Sequence, residues 1–224
     1  MTVRRSIEHD AENHFVGWDN ILKWHKSACA MDAINETDQY EKYFVTLFVT
    51  GARVSECLRL RPEQISLTPS GLGIKVDRME VLKRRKRYTR IFFINRAIDK
   101  LADRFYEMCQ DCTTDYLLPK LYGGWGIRLP YPHAHTSRKN VYVKIVELAK
   151  YNNDVKYEMW PHMLRDQKCY QLSAKKEDGG QEYNVYQLKN WVGWARIDMA
   201  AHYVGKMEEE DAARAAGLPE SDVT

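Results

Sequence analysis

The chain has 224 residues, with 44% hydrophobic and 29% charged side chains and a formal net charge of +3. This is the make-up of an ordinary globular protein of one substantial domain; it excludes a disordered chain, and with no run of about 18 apolar residues it excludes a helical membrane span. Met1 to Asp10 lacks the apolar stretch of a secretory signal, and Cys29, Cys57, Cys109, Cys112 and Cys169 are odd in number and widely spaced, so reduced thiols in an intracellular, cytoplasmic protein are expected.

Residues 1–35 read as a lead-in of mixed character, in which Trp18 to Trp24 places apolar residues three to four apart, as a helix does. Asn35 to Asp38 supplies helix-capping residue types. Tyr40, Tyr43, Phe44, Leu47 and Phe48 then recur at helical spacing, which predicts a buried helix over 38–49 that stops at Thr50-Gly51. A short helix near 55–60 ends before Pro62. Strands are expected over 64–67, 72–82 and 88–94, joined by a Pro69-Ser70-Gly71 turn and a basic turn from Lys83 to Arg87. The remainder reads as helices near 96–110, 136–151, 162–174, 184–192, 196–204 and 207–216. A loop rich in Gly, Pro and aromatics covers 119–133, and a flexible loop covers Lys175 to Gly180. The expected fold is mainly α with one small three-stranded antiparallel sheet: a working domain over 36–205 and a tail over 206–224.

Charge is unevenly spread. Gly51 to Arg96 holds twelve Lys/Arg against four acids, whereas Met207 to Thr224 holds six acids against one arginine. The first segment is a candidate polyanion surface, with Arg84, Arg85, Lys86, Arg87 and Arg90 as its DNA-binding candidates; a solvated basic hairpin is the plainer alternative.

Five places carry chemistry. In Thr50-Gly51-Ala52-Arg53-Val54-Ser55-Glu56, the glycine permits a tight turn and Arg53 opens the next helix, with Glu56 three residues on as structural support for its guanidinium. The basic turn can carry Lys83 or Lys86 into a bound polyanion. Pro161 suits a helix start, so His162 and Arg165, three residues apart, share one face at its first turn and offer two donors to phosphate oxygens. Trp194 follows Gly193, and Tyr203 lies nine positions later. Taken singly, each is more often a turn, a solvated face or core packing. Cys109, Cys112, His133 and His135 are zinc-ligand types, but a helix end and a loop account for them better. Trp125, Tyr122 and Tyr131 suit packing better than base stacking.

The order of these five places resembles the tyrosine recombinase/integrase family, which includes phage integrases and the Xer and Cre recombinases. The resemblance covers about residues 38–205. Thr50 to Leu60 is similar to the family's first-arginine box, Lys83 to Ile94 to its catalytic-lysine hairpin, His162 to Arg165 to its His-x-x-Arg box, and Trp191 to Tyr203 to its final box. The resemblance implies Arg53, Lys83, His162, Arg165, Trp194 and Tyr203 as catalytic residues. Tyr203 is the nucleophile of a 3′-phosphotyrosyl intermediate, Lys83 the general acid in preference to Lys86, and no metal, cofactor or ATP is required. The implied partners are double-stranded DNA and further copies of the chain, a tetramer on DNA and a monomer when free, with Met207 to Ala216 as a docking helix; no membrane is involved. Asp166 stands where the family frequently has a second histidine, and Arg165 to Trp194 is longer than usual. His202 beside Tyr203 points about 100° away on a helix, which favours a solvated or packing role over one as base. A type IB topoisomerase-like enzyme and a non-catalytic DNA-binding relative are the alternatives.

Overall fold

The computed structural model describes residues 15–83, 86–122, 129–151 and 159–204. Helix α1 (Trp18–Asn35) buries Trp18, Ile21, Trp24 and Ala28 along one stripe and packs on α2 (Gln39–Thr50) and α5 (Arg138–Tyr151). The core therefore includes residues 18–35, although the sequence pattern sets them apart as a lead-in. The start of α2 is capped across the turn rather than from within it: the Asp32 carboxylate, from the last turn of α1, accepts from Tyr40 N (3.0 Å) and Glu41 N (2.8 Å). This satisfies two N–H groups that a helix start leaves open. Helix α2 is buried almost all round, so its Tyr40, Tyr43, Phe44, Leu47 and Phe48 form the centre of the core.

The expected three-stranded antiparallel sheet is present, in the order β1 (Ile65–Leu67), β2 (Gly73–Lys83), β3 (Lys86–Asn95). Strands β2 and β3 pair out to Lys83 opposite Lys86, with a register shift between Val76 and Met79, where Arg78 has φ 49°. Residues 119–133, expected to be a loop, instead contribute β4 (Pro119–Tyr122) and β5 (Leu129–His135), an antiparallel ribbon. Prolines at 119, 130 and 132 conceal it in the sequence. A two-stranded ribbon has two free edges, and an edge position needs no ladder N–H, so proline is tolerated there.

Helix α4 (Ala102–Gln110) begins six residues later than expected from 96, because Asn95 to Leu101 forms turns held by Asp99 N to Asn95 O (2.9 Å). Short α3 (Val54–Cys57), α6 (Pro161–Ser173), α7 (Val185–Val192) and α8 (Asp198–Ala201) complete the fold. The region expected as helix over 196–204 forms only the four-residue α8 and a turn. The expected helix 207–216 and Trp125 lie outside the described residues. Among the described residues, Cys109, Cys112, His133 and His135 do not assemble: Cys109 is buried, Cys112 Sγ meets Thr114, His133 Nδ1 meets Asp115, and His135 Nδ1 meets the Thr136 carbonyl.

Candidate active site

The turn after α2 builds the base of the site. Gly51 has φ 53° and caps α2, its N–H donating to Phe48 O at 3.1 Å. Its own carbonyl accepts from Arg165 Nη1 at 2.7 Å. Two residues on, Arg53 is extended (φ −69°, ψ 152°) and opens α3. Its N–H donates to Glu56 Oε2 at 2.9 Å, and its Nη1 donates to Glu56 Oε1 at 2.8 Å. Glu56 is 1% exposed, and Arg165 Nη1 lies 3.7 Å from its Oε2. One buried carboxylate thus sits between two guanidiniums that are 112 positions apart in the chain, and it fixes the plane of the Arg53 fork.

The charges do not balance. Arg165 is 2% exposed, and its Nη2 has no hydrogen-bond partner. A third guanidinium, Arg90, lies below: Nη1 donates to Trp191 O (2.5 Å), Nη2 donates to Thr50 O (3.1 Å), and the cation rests on the Phe92 ring at 4.3 Å. Burial, then repulsion from Arg165, lowers its pKa to about 10, which leaves it protonated at neutral pH. Three cations face one anion, and two buried donors, Arg165 Nη2 and Arg90 Nε, are unsatisfied; such donors are normally paired in a folded protein. The deficit is one of negative charge and of acceptor oxygens. Arg90 is thereby corrected from its expected place on a DNA-facing surface. It is buried, and its guanidinium ties β3 to the ends of α2 and α7.

Helix α6 supplies the next groups. Pro161 occupies its first turn, and Trp160 before it is extended. His162 is exposed and shares with Arg53 a cavity of about 200 Å³, into which Arg138 and Tyr142 of α5 also reach. Arg138 and Tyr142 escaped the sequence reading. The available signal was local: Ser137 Oγ accepts from Asn140 N at 3.1 Å, so a helix start carries Arg138 there.

Tyr203 lies in the turn after α8, and its carbonyl is held by Ser173 Oγ at 2.8 Å. Its ring stacks on Trp194 (centroids 5.3 Å apart, planes at 16°), and Trp194 in turn faces the Arg165 guanidinium at 5.5 Å. Trp194 therefore links the phenol to the buried arginine through ring contacts. The Tyr203 hydroxyl donates to Asp166 Oδ1 at 2.5 Å. Burial first, and this carboxylate second, push the phenol well above its ordinary pKa, so it is held protonated.

The structure brings together Arg53, Glu56, Arg165 and His162, and it sets Trp194 and Tyr203 against Arg165 and its neighbour Asp166. For the hairpin it gives backbone placement only: Lys83 and Lys86 face each other at the end of the β2–β3 ladder, Arg87 is next to them in β3, and Arg84 and Arg85 lie outside the described residues. Asp166 is the contact that the sequence left undetermined, because its partner is 37 positions away.

A methyl group at Gly51 would lie 3.0 Å from Lys168 Cγ and 3.1 Å from Trp191 Cζ3, on a left-handed backbone. Gly51→Ala is therefore expected to lower stability by about 2 kcal/mol, read as a lower urea midpoint at constant slope. An unchanged midpoint would show that the turn relaxes freely.

The sequence model described as the phage integrase family matches residues 25–210. The chain belongs to the phage integrase family. A comparison with curated protein sequences gives no match. Among solved structures, this integrase-family chain is similar in fold to the XerH site-specific recombinase bound to difH substrate in a pre-cleavage complex (TM-score 0.54, 16% identity, 90% of this chain and 53% of the other). It is similar to the XerA recombinase (TM-score 0.56, 16% identity, 90% and 61%) and to the Tn1549 transposon integrase, residues 82–397, in complex with transposon right end DNA (TM-score 0.58, 14% identity, 97% and 70%). The chain spans about half the length of the XerH recombinase. At these identities the likeness is one of fold: mostly helical with small antiparallel sheets. No helix among the described residues is long and apolar enough to cross a membrane.

Proposed function

We propose that this integrase-family chain contains a DNA breaking-and-rejoining domain that acts through a covalent bond between Tyr203 and a DNA 3′-phosphate. The observation that carries the reading is the buried Arg165 Nη2 without a partner, next to an Arg53 already oriented by Glu56. A phosphodiester supplies what the site lacks, one negative charge and two non-bridging oxygens. Guanidinium forks suit those oxygens, and they stabilise charge best where it grows in the transition state. That the phosphate belongs to double-stranded DNA is supported by the fold neighbours, among them XerH on difH and the Tn1549 integrase on transposon end DNA.

In this reading Arg53 and Arg165 hold the non-bridging oxygens, His162 adds a donor from the cavity rim, and Trp194 packs behind the nucleophile. Tyr203 Oη forms a bond to phosphorus while the bond to the 5′-oxygen breaks, and that oxygen takes a proton from a lysine of the hairpin end, Lys83 in preference to Lys86. The ester energy is kept in the phosphotyrosine, so rejoining needs no ATP. The unit 36–205, together with the α1 stripe packed on it, is the catalytic body. Residues 206–224 serve assembly into a tetramer on DNA, and Arg84, Arg85, Lys86 and Arg87 contribute phosphate contacts.

The test is a suicide substrate, a duplex nicked so that the cleaved fragment diffuses away. A covalent protein–DNA adduct that forms with the wild type and is lost in Tyr203→Phe is the expected result. An adduct that persists in Tyr203→Phe, or none with the wild type, overturns the reading.

A further inference from the structure

The short contact between Tyr203 and Asp166 leads beyond the assignment of a nucleophile, and any role for Asp166 rests on that assignment. A neutral phenol is a poor nucleophile, and Tyr203 is kept neutral by its half-buried position. Attack therefore requires a base in contact with the hydroxyl at the moment of bond formation, within about 2.6–3.2 Å or closer. Among the described residues the group that meets this requirement is Asp166, whose Oδ1 already accepts the Tyr203 hydroxyl at 2.5 Å. The alternatives are less well placed. His202 is the neighbour of Tyr203 but presents its ring edge-on at 5.4 Å between centroids, and Tyr170 meets Tyr203 ring to ring at 5.0 Å. His162 is one helical turn before Asp166, with Nε2 3.9 Å from the same Oδ1, and most of its side chain is in solvent.

We propose that Asp166 is the general base of the cleavage step and that His162 is the outlet for the proton it receives. As Tyr203 Oη bonds to phosphorus, its O–H bond breaks and the proton passes to Asp166 Oδ1. The phosphorus–O5′ bond breaks in the same step, and the 5′-oxygen is protonated by the hairpin lysine. The proton on Asp166 moves through His162 to water. In rejoining the direction reverses: His162 returns a proton from water to Asp166, the 5′-hydroxyl gives its proton to the hairpin lysine as its oxygen bonds to phosphorus, and Asp166 passes its proton to Tyr203 Oη as the phosphorus–Oη bond breaks. One carboxyl group so placed serves both directions, as microscopic reversibility requires. The groups recorded against Asp166 are His162, Cys169 and Tyr170 from α6 and Tyr203 from the segment after α8.

Asp166→Asn keeps an acceptor oxygen and the side-chain volume but removes the base. DNA affinity should be unchanged, while first-turnover adduct formation should fall by about 10²–10⁴-fold, the usual contribution of such a base. A second readout tests the contact itself. A readout without DNA is the phenolate absorbance of Tyr203, taken as the difference from the matching Tyr203→Phe protein. It should titrate at lower pH in Asp166→Asn, because the neighbouring negative charge is gone. An adduct rate in Asp166→Asn equal to the wild type overturns this inference and leaves the role of Tyr203 standing. A faster rate also overturns it, and makes Asp166 a restraint on the nucleophile. An unmoved phenolate titration overturns the contact itself. A wild type that forms no adduct fails earlier, at the phosphotyrosyl reading, and takes the inference with it.

Discussion

Arg165→Ala is expected to lose both adduct formation, by about 10³-fold or more, and a substantial part of the stability of the chain. The two effects have different origins. The catalytic loss follows from removing Nη2, the donor left open for an acceptor oxygen, together with the fork that orients it. The stability loss follows from the other nitrogen: Nη1 satisfies the Gly51 carbonyl at 2.7 Å and lies 3.7 Å from buried Glu56. Breaking a buried ion pair costs about 3–5 kcal/mol when the remaining charge is stranded. Here Glu56 retains Arg53, and Arg90 loses a repelling neighbour, so about 2–4 kcal/mol is the expected range. Arg165→Lys separates the two effects. An ammonium can serve Gly51 O or Glu56 but cannot form a planar fork, so the variant should fold with a near-normal urea midpoint and still lose about 10²-fold in adduct rate. Arg53→Ala, at a half-exposed position, should behave similarly. If Arg165→Lys cleaves like the wild type, the guanidinium is not what holds the phosphate.

Particular residues show how far the sequence reaches. The α2 core was legible because Tyr40, Tyr43, Phe44, Leu47 and Phe48 repeat at helical spacing and burial follows that spacing. Arg53 and Glu56 were legible because they are three residues apart, close enough for local geometry to pair them. Arg90 was misplaced by its company: it ends a run of cations, and a run suggests a surface. The strand pattern carried the better signal, since Arg90 shares its face with Phe92 and Ile94, all three buried, while Ile91 and Phe93 face out. The β4–β5 ribbon was hidden by its prolines, and Asp166 by the 37 residues that separate it from Tyr203. Contacts of that span are made by the fold and leave no periodicity to read.

The buried pair below the site is of the same long-range kind, and the second large effect is expected there. Lys168 Nζ and Asp99 Oδ2 are 2.5 Å apart, both side chains are fully buried, and Gln171 Oε1 takes a further ammonium proton at 2.9 Å. The other oxygen of Asp99 accepts from Leu101 N at 3.0 Å, so the carboxylate also shapes the turn before α4. Asp99→Asn keeps shape and an acceptor but leaves an ammonium sealed against Phe48 and Trp191, at 5.5 and 5.7 Å from their rings. A loss of about 3–5 kcal/mol is expected, against a total of about 5–15 kcal/mol for a domain of ordinary stability. Adding Lys168→Met should recover most of it, because the flexible thioether fills the channel without a charge. The consequence for the site is geometric. Lys168 lies one turn after Arg165 on α6 and touches the space beside Gly51, so the pair sets the depth at which α6 presents His162, Arg165 and Asp166. The double variant should therefore be nearly as stable as the wild type yet slower in adduct formation. If Asp99→Asn unfolds at the wild-type urea concentration, the pair is not what anchors the helix.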